Sequence, residues 1–271
     1  MVVPIVFIAR FDAQEGTRKV FDKIWEECGA SLALYVPETV NAIAGGLESS
    51  SWQMKQQCAK AIAKFAEILN FSQFAPQAPQ LFQILLSGLK GRTWTGKEEL
   101  LNALSKLSVC CIDMWSNPSL HTTNKIRYED VIKAILGEVV RKSLEYKKAA
   151  ITSLTELLNA FNEVPTFCAF STVQEVLTEQ ITSIHVEGSN NDSSDNSKST
   201  PKPEDETSIS RSIRQQALLA LSAAFPKSSF KDEQKSAFPV LVDLLSKTMK
   251  TTQQYMVKVS VLNSAKTLFP K

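Results

Sequence analysis

The sequence predicts an all-α fold, an α-solenoid of stacked antiparallel helix pairs, and three observations carry that prediction. Apolar residues recur at helical spacing along most of the 271 residues, and no segment longer than a few residues alternates with a strand's period of two. Glycine numbers only nine, about half its usual ~7% share, which counts against turn-rich all-β architectures and glycine-rich nucleotide folds. The third observation is a pattern that recurs five times along the chain.

The recurring segments are SSWQMKQQCAKAIAKF, RTWTGKEELLNALSKL, KSLEYKKAAITSLTEL, SISRSIRQQALLALSAAF and TTQQYMVKVSVLNSAKTLF. Each opens with an apolar and a basic residue and continues as a long apolar stripe. The basic positions are Lys55, Lys97, Lys147, Arg214 and Lys258, separated by 42, 50, 67 and 44 residues. Two separations fall in or near the ~40–47-residue period of HEAT-type helix pairs, and the others read as repeats with insertions.

Taken in order, the chain reads as one solenoid segment over 1–271, with a short lead followed by five repeats. The lead contains Val2-Val3-Pro4-Ile5-Val6-Phe7-Ile8-Ala9, which lacks a basic flank and is far short of the ~20 residues of a membrane span. Neither a signal peptide nor direct membrane insertion is expected. The first repeat, about 35–70, has a helix over 36–47 and a second opening at Trp52. The second, about 76–112, places Leu81, Phe82, Leu85, Leu86 and Leu89 on one helical face and Leu100, Leu101, Leu104, Leu107 and Cys111 on its partner's. Neither helix is stable alone; each needs the other face to bury its own. Between them, Gly91 reads as a helix stop, Trp94 as a packing anchor, and Thr95/Glu98 as a capping box.

The third repeat, about 127–161, opens with a helix over 127–141; the fourth, about 166–225, with one over 167–186; the fifth, about 230–271, with one over 231–249. Pro37, Pro76, Pro79, Pro118, Pro165 and Pro226 punctuate the connections. Inside the fourth repeat, residues 187–208 hold six acids, two lysines and no large apolar side chain. Such a run cannot bury enough surface to offset its ordering entropy, so it reads as a disordered loop. Its local net charge of −4 leaves +6 on the rest of the chain, thin for a nucleic-acid binder. Ser189 and Thr200 in it are candidate phosphorylation positions.

Catalytic and metal chemistry find no support. Cys28, Cys58, Cys110, Cys111 and Cys168 are odd in number and contain no CxxC, so they read as reduced thiols of a cytoplasmic or nuclear protein. His121 and His185 lie far apart, and neither neighbours a glycine-framed Ser or Cys. Gly91-Arg92-Thr93-Trp94-Thr95-Gly96-Lys97 matches the start of a phosphate loop, but Glu98 stands where magnesium requires a hydroxyl. A carboxylate there repels phosphates, and a helix, not a strand, precedes the loop. No enzyme activity, cofactor or metal is expected.

The run from Gly88 to Leu101, GLKGRTWTGKEELL, closely resembles a segment near the C-terminus of the large HEAT-repeat proteasome adaptor and scaffold family. Ser51-Trp52-Gln53-Met54-Lys55 resembles the preceding repeat of that family, and Tyr146-Lys147 a pair that opens the following one. The sharp match covers about 47–104; helix order and the acidic loop extend it more loosely. The resemblance implies a non-catalytic scaffold that associates with the proteasome, tethers its core and regulatory particles, and takes part in its quality control and localisation. The runner-up is a generic HEAT/armadillo scaffold or carrier for other cargo. The family protein is many times longer, so the chain reads as part of a longer stack. The apolar VVPIVFIARF and the stripe Val257, Val259, Val261, Leu262, Leu268, Phe269 read as uncovered end faces, and the isolated chain is expected to self-associate.

The candidate contact residues are the basic ladder Lys55, Lys97, Lys147, Arg214 and Lys258, with Arg92 and Glu99 flanking Trp94. HEAT-like repeats usually pair such a cation with an Asp six residues earlier; here those positions are Ser49, Gly91, Arg141, Ser208 and Thr252. Two readings stay open. The cations bond backbone carbonyls or acids such as Glu48, Glu98 or Glu145 and tune stacking, or part of the ladder is free and presents a basic ridge to an acidic partner. Arg92 and Glu99 likewise read either as a contact patch or as a surface ion pair.

Overall fold

A computed structural model of the chain describes residues 2–28, 31–112, 115, 126–160, 170–183, 207–225, 231–252 and 254–268. Every regular element among them is helical: α1 Val3–Ala9, α2 Glu15–Cys28, a 3-10 turn Leu32–Tyr35, α3 Val36–Glu48, α4 Trp52–Ile68, α5 Phe71–Phe74, α6 Ala78–Leu89, α7 Glu98–Cys110, α8 Tyr128–Val139, α9 Leu144–Ala160, α10 Phe170–Thr182, α11 Ser208–Ala224, α12 Lys231–Thr251 and α13 Tyr255–Leu268. The first helices expected at 36–47, 127–141, 167–186 and 231–249 correspond to α3, α8, α10 and α12. The acidic stretch expected to be a loop lies, but for Thr207 and Ser208, outside the described residues, as do Cys168, His121 and His185.

The chain divides into two compact units, Met1–Glu138 and Val139–Lys271. In the first, α3 packs on α4 and α6 on α7, while α3 lies beside α6 and α4 beside α7, so first helices form one row and second helices another. The second unit has the same two-row plan. Its pairs are α10 with α11 and α12 with α13; α10 lies beside α12, and α9, α11 and α13 form the other row. The predicted stripes supply the filling. Leu81, Phe82, Leu85 and Leu89 of α6 and Leu100, Leu101, Leu104 and Leu107 of α7 are all buried, each such side chain contributing roughly 1.5–3 kcal/mol.

The lead is not a lead. It forms a helix pair, α1 packed on α2, with α1 also against α3 and α4. Val6, Phe7 and Ile8 are buried, and the Phe7 ring lies 5.4 Å from that of Trp25. The N-terminal run is thus only partly an uncovered face, with Val2 and Ile5 outward. Its seven-residue helix is too short for periodicity to announce, whereas α2 carries a legible helical signal, with Phe21, Ile24, Trp25 and Cys28 at i, i+3, i+4 and i+7. At the other end Val257 and Val261 turn inward, while Tyr255, Met256 and Leu262 remain exposed.

Side-chain caps and a glycine stop fix several helix ends. Ser51 Oγ accepts from Met54 N–H at the start of α4, and Thr207 Oγ1 from Ser210 N–H at the start of α11. Gly91 follows the last residues of α6 with φ +86°, the left-handed stop that favours glycine. The Thr95/Glu98 box does not form. Gly96, at φ +101°, turns the chain so that Lys97 becomes the N-cap without a side-chain cap bond, and Gly96 N–H instead donates to Glu98 Oε2 at 3.1 Å. A genuine capping box sits at Asn70 and Gln73, opening the short α5.

A candidate partner-contact surface

The basic ladder separates into two kinds of residue. Lys97, Lys147 and Arg214 are buried, with 0%, 7% and 3% of their surface exposed, so the free-ridge reading does not hold for them. Lys97 Nζ donates to Leu89 O at 2.6 Å, the last residue of α6, and to Glu138 Oε2 at 3.3 Å on α8. Arg214 Nε donates to Ile181 O at 2.8 Å near the end of α10. Helix C-termini carry unsatisfied carbonyls and partial negative charge, so a buried cation there satisfies both. The carboxylate that Lys97 meets is none of the acids the sequence offered. Glu138 lies 41 positions away and only packing brings it close.

Burial pulls the Lys147 amine below its usual range, and the carboxylate of Glu179 on α10 partly restores it. In the first repeat the buried donor is Gln57, whose Nε2 donates to Ile8 O at 3.0 Å, near the end of α1. Neither Gln57 nor Glu138 was anticipated. The available signal was a lone polar residue inside an apolar stripe, as in Ile135-Leu136-Gly137-Glu138-Val139.

Lys55, Arg92 and Lys258 remain at the surface. Lys258 is half-buried on α13 in the second unit, far in sequence from the other two. Glu99 does not pair with Arg92; it faces Lys60 at 3.6 Å and accepts from Asn102 at 3.4 Å. Arg92 is exposed, and among the described residues its guanidinium makes no ion pair or hydrogen bond.

The first unit brings Lys55 and Arg92 to one edge, where the α3–α4 and α6–α7 turns lie side by side. Trp52 and Trp94, from matching places in successive repeats, stack with centroids 5.2 Å apart and planes inclined by 20°. Lys55 Nζ sits 5.1 Å over the Trp52 ring. The stack fixes neighbouring turns in register, as the sequence implied, but it is not core: Trp52 is 54% exposed. Beside it, α3 and α6 form a groove of about 510 Å³ lined by Leu47, Glu48, Lys55, Gln83, Ile84 and Ser87 among others. Among the described residues no cluster of three or more metal-ligating side chains occurs, and no helix is long and apolar enough to cross a membrane.

Residues 116–271 match the model of the family described as ECM29, C-terminal ARM-like repeats. The chain is 27% identical over 284 residues to the human proteasome adapter and scaffold protein ECM29, covering 99% of this chain and 14% of that protein. It is 30% identical over 161 residues to the proteasome component ECM29 of Saccharomyces cerevisiae, covering 58% of this chain and 8% of that protein. It thus spans about one seventh or less of those relatives. Among solved structures it is similar to an engineered protein, with a TM-score of 0.53 and 14% identity over 99% of this chain and 96% of that one. It is also similar to a designed armadillo repeat protein in complex with a (KR)4 peptide, with a TM-score of 0.51 and 11% identity over 98% and 99% of the two chains. Those two likenesses establish the helical-repeat fold.

Proposed function

The chain belongs to the family of ECM29 C-terminal ARM-like repeats, and from that premise we propose that it is a non-catalytic scaffold segment that associates with the proteasome. The observation that carries the reading is that relatives from yeast and human, each named for the proteasome, align with this chain. The structure supports it physically. Rows of paired helices present residues of several repeats on one surface, so a segment of this kind acts by geometry, holding two bodies near each other.

Within that reading, the finer role is to help tether core and regulatory particles, with a part in proteasome quality control and localisation in cytoplasm and nucleus. The test is co-sedimentation of the tagged chain with purified proteasome holoenzyme, and separately with isolated core and regulatory particles, at low and physiological salt. Co-migration with both particles is the expected result. Protein that is helical and soluble yet stays at the top of the gradient in every case overturns the proposal.

A further inference from the structure

We propose that the edge formed by Trp52, Trp94, Lys55 and Arg92, together with the adjoining α3/α6 groove, is a docking surface for an extended acidic segment of a partner protein. Exposed tryptophan beside arginine is the composition of interface hot spots, because a rigid ring buries much area at small entropic cost. Here Trp52 is 54% exposed although its ring is held by Trp94 and Lys55, and Met54 next to it is 38% exposed. The surface is pre-set, so docking need not order it.

Charge decides what fits. The C-termini of α3 and α6 and the N-termini of α4 and α7 meet at this edge, and their opposite end charges offset. Side chains therefore set its sign. Lys55 and the exposed Lys90 and Arg92 of the α6–α7 turn outnumber Glu48 and Glu98, while Glu99 is paired with Lys60. The remaining positive excess favours carboxylates. Beside the apolar Ala44, Leu47 and Ile84, the groove carries the amides of Gln80 and Gln83 and the hydroxyl of Ser87, with Gln80 Nε2 donating to Asn41 Oδ1 at 3.5 Å. Such groups suit the N–H and C=O of an extended backbone. A nucleic-acid strand is the poorer fit, because bases stack on free aromatic faces and the Trp52 ring already stacks on Trp94 with the Lys55 amine over it.

The proposal rests on the scaffold reading only for the partner being a protein. The experiment is fluorescence anisotropy of a labelled (Asp-Glu)4 peptide against the full chain, with (Lys-Arg)4 and an oligothymidylate as comparison probes. Binding of the acidic peptide that weakens with salt is expected, with about a tenfold or greater loss on Lys55→Glu/Arg92→Glu and on the charge-neutral Trp52→Ala. Lys142→Glu, an exposed cation of the second unit, is expected to leave it unchanged. Equal binding by parent and both edge variants, each shown helical by circular dichroism, overturns the proposal. So does an equal loss with Lys142→Glu, or tighter binding of either comparison probe. Proteasome capture by the same variants keeps the two ideas apart. Capture that persists undiminished in the edge variants sinks this surface and leaves the scaffold reading intact, whereas peptide binding without capture does the reverse.

Discussion

Lys97 Nζ lies 3.3 Å from Glu138 Oε2, with the lysine fully buried and the carboxylate side chain 7% exposed. The pair closes over a carbonyl of α6, joining three helices of the first unit through one cation. Such pairs are conditional. Their mutual attraction offsets a large desolvation cost only while both partners are present.

Removing one member should therefore be far worse than removing both. Lys97→Met or Glu138→Leu alone is expected to cost about 3–5 kcal/mol, and the double substitution less than either single one. Urea unfolding of the four proteins checks this. Additive losses would mean the two groups do not sense each other.

Lys147 makes the opposite kind of contribution. Its folded pKa is depressed below the usual 10.5 by burial, so above that depressed value the unfolded chain holds more protons than the folded one. Stability should rise with pH between the depressed value and about 10.5, and Lys147→Met should abolish the rise while leaving neutral-pH stability equal or higher. Glu179→Gln removes the favourable field and should lower stability at neutral pH. Urea midpoints taken from neutral to alkaline pH decide it; a rise that survives Lys147→Met assigns it to another group.

The thiols should differ sharply in reactivity. Burial pushes the Cys58 thiol up to about 12 and also raises that of Cys111, whereas Cys28 is exposed. Because the thiolate is the nucleophile, a disulfide reagent at neutral pH should label Cys28 in the native protein and reach Cys58 and Cys111 only on unfolding. A Cys168→Ser background and mass mapping identify the sites. Native labelling of Cys58 at the rate of Cys28 would contradict the packing of α3 on α4.

Two adjacent glycines of α3 should respond in opposite directions. A Cβ on Gly45 meets nothing within 4 Å, so Gly45→Ala should stabilise by about 0.4–1 kcal/mol through the unfolded chain. At Gly46 the Cβ collides with Cys58 Sγ on α4, and Gly46→Ala should destabilise by about 1–3 kcal/mol. Thermal unfolding of the two variants measures both. Stabilisation by both would show that α4 yields easily at Cys58.

The helical class and the buried stripes were legible in the sequence because each is a local consequence of spacing. Leu100, Leu101, Leu104 and Leu107 repeat at helical intervals, and a helix with that face must bury it. Trp52 and Trp94 were recognisable as equivalent for the same reason. What linear order could not carry was partnership across it. Lys55, Lys97, Lys147, Arg214 and Lys258 are alike as letters, yet Lys97 and Arg214 cap helix ends inside the protein while Lys55 lies over an exposed ring. That difference arises because a cation's state is set by the dielectric and the dipoles around it, and these come from residues tens of positions away, such as Glu138 beside Lys97. Periodicity determined which faces are buried; only tertiary packing decided which charges went in with them and which stayed at the surface.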